Sequence, residues 1–87
     1  MDYMSSVQRI REQIRHLYQS NPHIHIDISL TSPKINFSND AVTITGVYPH
    51  IFQIEEYTSG KPKQHTLQYT EVIIGKIIIK ELEKGKE

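Results

Sequence analysis

In the stretch HIHID, which runs from His23 to Asp27, two histidines and an aspartate alternate with isoleucines. Residues two apart on a β-strand point to the same face and lie about 6.6–6.8 Å apart. Two imidazoles at that spacing can converge on one zinc ion, with bonds of about 2.0–2.1 Å. None of the other three histidines stands at a spacing that requires it to complete such a site. We therefore interpret His23, His25 and Asp27 as the solvated face of a strand, with a metal-binding protein or a metal-dependent enzyme as the alternative.

The sequence contains few other residues that point to catalysis. It has no cysteine, which excludes disulfides, thiolate metal sites and cysteine nucleophiles. It has no nucleophile elbow, glycine-rich phosphate loop or zincin helix. No pair of carboxylates has surroundings that would separate their pKa values. The sequence therefore predicts a protein that is not an enzyme, with no catalytic residues and no cofactor.

Length and charge limit the remaining function classes. The 87 residues correspond to a single domain, residues 1–87, with room for one modest core. Ten lysines and arginines balance ten acidic residues, so the chain lacks the basic field that indiscriminate binding to nucleic acid or anionic membrane needs. The longest apolar run, VIIGKIII, is interrupted by Gly75 and Lys76 and is too short to span a bilayer. The N-terminus has no apolar core of a secretory signal, and we expect a cytoplasmic protein without membrane contact.

The N-terminal segment has the period of an amphipathic helix. Four apolar residues stand at intervals of three and four, namely Val7, Ile10, Ile14 and Leu17. Ser5 and Gln8 fit a capping box, and Ser20, Asn21 and Pro22 form a stop signal. These features predict a helix over about residues 5–20.

From His23 onwards the apolar period changes to two, which is typical of half-buried strands. The first strand would bury Ile24, Ile26, Ile28 and Leu30. The other predicted elements are a turn at 38–40, strands at 41–48, 51–57, 65–69 and 76–82, a polar loop at 58–64 and a short helical turn at 70–75. One helix followed by about five short strands predicts a mainly β domain. We expect a small SH3-like barrel over residues 23–82 and a frayed tail over 83–87, with a flat sheet covered by the helix as the alternative.

The segments GVYPHIFQIE and LQYTEVI resemble the Veg proteins of Gram-positive bacteria, small chains named as stimulators of biofilm formation. The family pattern has a Tyr-Pro pair, two residues, a Phe and an apolar-alternating strand, followed further along by Tyr-x-Asp-Val/Ile-Leu. The first block is matched by Tyr48, Pro49 and Phe52. The second block is matched by Tyr69, Glu71 and Val72, with Glu in place of Asp. The similarity spans residues 42–82, and the N-terminal helix and the chain length also agree.

The resemblance implies an SH3-like fold and a non-enzymatic interaction protein that contacts a transcriptional regulator. Veg proteins carry a basic, glycine-rich stretch after the first strand. Here that region, Thr31 to Asp40, contains Lys34 as its only basic residue. For this chain the resemblance therefore does not imply that the loop contacts an anion or a nucleic acid. The chain looks like a divergent member of the family.

Six residues are candidates for contact with a protein partner: Arg11, Arg15, Tyr48, His50, Phe52 and Ile78. Tyr48, His50 and Phe52 can form an aromatic rim, although a core position is the preferred interpretation of Phe52. Arg11 and Arg15 border the apolar stripe of the helix and can hold an acidic partner, or else form a salt-bridged surface with Glu12.

Ile78 is the middle one of three consecutive isoleucines, and strict alternation would expose it. It therefore lies either under the helix or in the interface of a homodimer. A nucleic-acid-binding barrel that uses Lys61, Lys63 and the helix arginines is a further hypothesis, which the neutral net charge disfavours.

Overall fold

The computed structural model describes residues 3–31, 34–58 and 60–84. The elements are α1 (Tyr3–Ser20), β1 (His23–Thr31), β2 (Lys34–Val47), β3 (Ile51–Thr58), β4 (Lys61–Gln68), α2 (Tyr69–Ile73), β5 (Ile77–Ile79) and α3 (Lys80–Lys84). The strands form one antiparallel sheet in the order β4-β3-β2-β1-β5. The predicted mainly β domain with an N-terminal helix and about five strands is confirmed. In the described residues β4 and β5 are the two edges of this sheet, so the word barrel describes it only loosely.

The core lies between one face of the sheet and α1, which packs on β2 and α2. On β1 the predicted alternation is confirmed for Ile24, Ile26 and Ile28, which are buried, whereas Leu30 is only partly buried. On α1 the stripe is buried unevenly: Val7 and Ile14 are buried, whereas Ile10 and Leu17 are partly exposed. Burying each such side chain stabilises the fold by about 1.5–3 kcal/mol.

The polar residues at 38–40 lie inside β2 and not in the predicted turn, because they form a bulge within one long strand. Asn39 adopts a left-handed conformation with φ of 56°, which asparagine tolerates better than most residues. Its N–H donates to Asp27 Oδ1 at 2.6 Å, and Ser38 N–H donates to Asp40 Oδ1 at 2.8 Å. The same turn-forming chemistry that predicted a chain reversal therefore shifts the strand register instead.

The segment predicted as the polar loop 58–64 mostly belongs to β4, which pairs with β3 along its whole length. The reversal is confined to the residues around Gly60, which has a φ of 78°. Pro62 lies opposite Tyr57 in the register. An edge strand accepts proline because its missing N–H is not needed on the free side. Polar composition indicated a loop here, but the structure contains a solvated edge strand.

The C-terminal part differs from the prediction in the length of its last strand. The expected helical turn is present as α2, and the chain reverses at Gly75, whose φ is 89°. The strand predicted over 76–82 is limited to Ile77–Ile79, and α3 follows directly. The first two residues of the predicted tail 83–87 therefore belong to α3, and the last three lie outside the described residues.

Candidate functional site

One side of α1 carries three residues near β2 and the turn between β2 and β3, and two of them bond to the backbone there. Arg11, Arg15 and Tyr18 stand at intervals of four and three, so they lie along one side of the helix. Arg11 Nη1 donates to Pro49 O at 2.9 Å, and Tyr18 Oη donates to Thr45 O at 3.3 Å. The first bond attaches one end of the row to the turn, and the second attaches the other end to β2.

Tyr48 lies in that turn and exposes 45% of its surface. Its ring rests on Gly46, where a Cβ atom would lie 2.7 Å from Cε2 and Oη of the tyrosine. The backbone of Tyr48 is held on both sides: its N–H donates to Ile51 O at 2.9 Å, and its carbonyl accepts the hydroxyl of Tyr69 at 2.6 Å. The turn thus exposes an aromatic side chain on a backbone that hydrogen bonds hold in place.

His50 lies in the same turn and is exposed. Together with Arg11 it lines a depression of about 380 Å³, whose walls also include Gln8, Gln68 and Thr70. Sequence reasoning selected Arg11, Arg15, Tyr48 and His50. The structure brings Arg11 to Pro49 and His50 in the turn that carries Tyr48, and Arg15 lies one helical turn further along α1. Tyr18 was missed, although its spacing from Arg11 and Arg15 was the available signal. We call Arg11, Arg15, Tyr18, Tyr48 and His50 the arginine–tyrosine surface.

The arginine–tyrosine surface carries positive charge beside a buried phenol. Arg15 pairs with Glu12 at 3.1 Å, but both side chains are exposed, so this pair contributes little stability. No carboxylate pairs with Arg11 in the part of the chain that the structure describes. Burial raises the pKa of Tyr69 above its ordinary value, against the lowering effect of its bond to Tyr48 O and of the charges of Arg11 and Arg15. Tyr69 is therefore a protonated donor at neutral pH.

Phe52 is a core residue, and this corrects its inclusion among the contact candidates. Its side chain is fully buried, and its ring stacks on Tyr69 with a centroid distance of 5.5 Å and an interplanar angle of 19°. The cause is its register on β3, where Phe52 and Ile54 share the inward face. Ile78 lies elsewhere, half-buried on β5 and opposite Asp27 of β1.

The histidine face of β1 has the predicted orientation, but its side chains bind other residues. The contacts are His23 Nδ1 with Thr43 Oγ1 at 3.1 Å, His25 Nδ1 with Glu81 Oε2 at 3.1 Å, and Lys80 Nζ with Asp27 Oδ2 at 2.9 Å. Within the described residues, no three His, Asp or Glu side chains form a group that could hold a metal ion. The chemistry available on this face is hydrogen bonding and ion pairing between β1, β2 and α3.

Two carboxyl groups on this face have lowered pKa values. The hydrogen bond from Lys80 and the N–H of Asn39 lower the pKa of Asp27. Burial raises the pKa of Glu81, but hydrogen bonds from the backbone N–H and the ring of His25 outweigh burial and lower it overall. Sequence reasoning missed the roles of Lys80 and Glu81, because Glu81 is 56 positions from its partner His25 and no local spacing relates them.

A second unexpected histidine contact lies on the inward face of the sheet. His65 Nε2 and Glu56 Oε1 are 2.7 Å apart, with side-chain exposures of only 11% and 16%. The ring of His65 also meets Phe37 edge-on at a centroid distance of 5.4 Å. The signal for this position was the period of two that aligns His65 with the buried Leu67.

The lysines of the nucleic-acid hypothesis lie on β4 and not on the arginine-bearing helix. Lys61 and Lys63 are exposed, and Lys63 stands opposite Glu56 in the β3–β4 register. The acidic neighbour reduces the local positive potential that binding to phosphates requires.

Comparison of the chain with models of protein families, with curated proteins and with solved structures finds no match. No helix within the described residues is sufficiently long and apolar to cross a membrane. The evidence on function therefore comes from the geometry of the chain itself.

Proposed function

We propose that this chain is a small cytoplasmic protein-interaction module without catalytic activity, which binds an acidic surface of a regulatory partner protein. The contact surface is the arginine–tyrosine surface. The observation that supports this proposal most directly is that residues from two distant parts of the chain converge there. Arg11 and Arg15 come from α1, and Tyr48 and His50 come from the β2–β3 turn.

The side chains of this surface are the types that dominate the energetics of protein interfaces. Tyrosine and arginine are enriched among interface hot spots. A tyrosine ring buries a large area while losing little conformational entropy, and a guanidinium group can make two parallel hydrogen bonds to a carboxylate. Arg11 has no carboxylate partner in the described residues, so its charge is available to an acidic partner.

The turn that carries Tyr48 is also rigidly held, which favours binding. Arg11 donates to the carbonyl of Pro49 in the turn, and Tyr69 donates to the carbonyl of Tyr48. Tyr18 donates to the carbonyl of Thr45 in β2, shortly before the turn. A surface that is ordered before it binds loses less conformational entropy on association. Tyr48 can therefore contact a partner without a large loss of conformational entropy.

Membership of the Veg family is a further part of the proposal, and the partner that it implies is a transcriptional regulator. The two motif blocks pack against each other, since Phe52 stacks on Tyr69 and the hydroxyl of Tyr69 reaches Tyr48 O. This packing explains why the two blocks occur together. In this proposal the arginine–tyrosine surface is the part of the chain that contacts the regulator. Identification of the captured partner tests whether the chain functions as Veg proteins do.

The test is to identify a partner and measure its affinity for matched variants. The immobilised chain captures proteins from a bacterial cytoplasmic extract, and the captured partner is purified and titrated by calorimetry. We expect Tyr48→Ala to weaken binding about 30-fold, since truncating a hot-spot residue costs about 2 kcal/mol or more. Arg11→Glu should weaken it further and reduce its dependence on salt.

The control is Tyr57→Ala, which removes a tyrosine that is 71% exposed on β3 and lies outside the arginine–tyrosine surface. Circular dichroism verifies that each variant is folded. Equal loss of affinity in Tyr48→Ala and Tyr57→Ala would contradict the proposal, as would a captured partner whose affinity is unchanged in Arg11→Glu.

A further inference from the structure

A second concave feature, independent of the arginine–tyrosine surface, lies between α1 and β5. It is a groove of about 580 Å³. One wall is a single side of α1, because Ser6, Arg9, Ile10 and Gln13 are spaced by three and four residues. The opposite wall is the β5 strand, and α2 and α3 contribute residues at the ends.

The groove follows the edge of β5 and not one of its faces. Successive residues of a strand point to opposite faces, so a cavity above a face would touch alternate residues. This groove is lined by three consecutive residues, Ile77 to Ile79. β5 is the last strand of the sheet and pairs only with β1, so its other edge has no strand beside it in the described residues.

The pairing with β1 determines which backbone groups point to this free edge. Ser29 N–H donates to Lys76 O at 2.9 Å, and Ile78 lies opposite Asp27. In an antiparallel ladder, bonded residues alternate along the strand, so Ile78 bonds to β1. The N–H groups of Ile77 and Ile79 therefore point away from β1, towards the groove.

The groove is also apolar and incompletely filled by the described residues. Ile10, Val72, Ile73 and Leu82 line it and are only partly buried. Ile14, on the same helix as Ile10, is fully buried. Contact with an apolar side chain would remove this partly exposed surface from water, which is favourable.

Two charged side chains line the groove among the described residues, Arg9 on α1 and Glu81 on α3. Arg9 lies on the helix wall, is exposed, and has no ion-pair partner in the described residues. Glu81 also lines the groove, but its carboxylate already accepts two hydrogen bonds from His25. Because His25 already holds Glu81, Arg9 is the charged side chain of the walls that a ligand can pair with.

We propose that this groove binds an extended, acidic peptide segment of a partner protein, which adds a sixth strand beside β5. The ligand class is a peptide with β-branched side chains at alternate positions and an Asp or Glu near Arg9. The helix wall from Ser6 to Gln13 spans about 10 Å at 1.5 Å per residue, the length of about three extended residues. Backbone pairing supplies affinity in strand addition, and alternate side chains supply specificity.

The test uses a pool of acetylated, amidated hexapeptides with Val or Ile at alternate positions and Glu elsewhere. Each is titrated into the isotopically labelled full chain and followed by NMR. We expect binding below about 1 mM, with shifts at residues 6–13 and 77–79, and slower hydrogen exchange of the Ile77 and Ile79 amides. The same peptides N-methylated at the pairing amides should bind at least about tenfold more weakly, since N-methylation removes strand hydrogen bonds. Equal binding of methylated peptides, or no binding by any member, would overturn the proposal.

Charge reversal separates this site from the arginine–tyrosine surface. Arg9→Glu should weaken binding of the Glu peptides about fivefold and strengthen binding of peptides with Lys in place of Glu. Arg15→Glu is the matched control on another side of α1, and it should leave peptide affinity unchanged, as should Tyr48→Ala. If the solution mass of the free chain is that of a dimer and the Ile77 and Ile79 amides are already protected, a second copy occupies the edge and the peptide proposal is wrong.

Discussion

The hydroxyl of Tyr69 joins α2 to the turn that carries Tyr48, and its removal gives a sharp test of how that turn is held. Tyr69 is fully buried and donates to Tyr48 O at 2.6 Å. Tyr69→Phe preserves the ring that stacks on Phe52 and removes only the donor. Losing this bond, with its carbonyl partly buried, should cost about 1–1.5 kcal/mol of unfolding free energy. In a domain of this size the melting temperature should fall by about 4–12 °C.

The same hydroxyl predicts how stability depends on alkaline pH. Because the pKa of Tyr69 in the folded chain is raised above its ordinary value of 10.0, the unfolded chain loses this proton first. Below pH 10.0 the phenol is protonated in both states and its stabilising contribution is complete. As the pH rises above that value and through the folded pKa, the contribution is lost. The wild type should therefore lose more stability than Tyr69→Phe over this alkaline range.

The assay is urea denaturation followed by circular dichroism, for both chains, at neutral pH and at several pH values above 10.0. Tyr57→Phe is the control, since Tyr57 is 71% exposed, and its stability should change by less than about 0.5 kcal/mol. If Tyr69→Phe is as stable as the wild type at neutral pH, or if both decline equally in alkali, the assignment of the buried hydrogen bond is refuted.

Three further predictions concern the turn, the core and the histidine face. Gly46→Ala should displace the ring of Tyr48, since the new Cβ would lie 2.7 Å from it. Thermal melts should show a change in unfolding free energy of less than about 1 kcal/mol. Calorimetry should show that the affinity for the partner falls. Phe52→Ala should lower the unfolding free energy by about 3–5 kcal/mol, which is a large share of the stability of a small domain. Urea denaturation measures this change, and an unchanged midpoint would show that Phe52 is not a core residue. The pKa of Asp27 is lowered from 3.8 by Lys80, so its stabilising contribution is present above that pH and is lost as the pH falls further; Asp27→Asn should make stability less sensitive to acid, measured by urea midpoints from about pH 6 to pH 2.

Polar segments were the main source of error in the prediction of the fold from sequence. The composition of residues 38–40 and 58–64 is typical of turns and loops, yet both segments contribute to strands. In the first, Asp27 on the neighbouring strand accepts a hydrogen bond from Asn39 and turns a chain reversal into a bulge. In the second, an edge position accepts Pro62 and exposed lysines. Neither condition can be read locally, because both depend on which strand lies alongside.

Most residues of the candidate surface were selected from the sequence, but their arrangement was not. Arg11 and Arg15 were selected by their helical spacing, and Tyr48 and His50 by their position around a proline. Their convergence depends on how α1 crosses the sheet. The hydrogen bond from Arg11 to Pro49 O, 38 positions further along the chain, depends on this crossing. Sequence spacing carries no information about contacts of that separation.

What the sequence by itself determined is the set of apolar periods. The three-and-four spacing along residues 7–17 specifies a helix, and the alternation along Ile24, Ile26 and Ile28 specifies a strand, because each period places apolar side chains on one side of a regular backbone. Only the tertiary structure decided what the polar side chains do. The order of strands in the sheet places α3 beside β1, so that Glu81 meets His25 and Lys80 meets Asp27. Two residues that looked like zinc ligands are thereby engaged in holding the C-terminal helix, because the partner of a polar group is chosen by strand neighbours and not by local spacing.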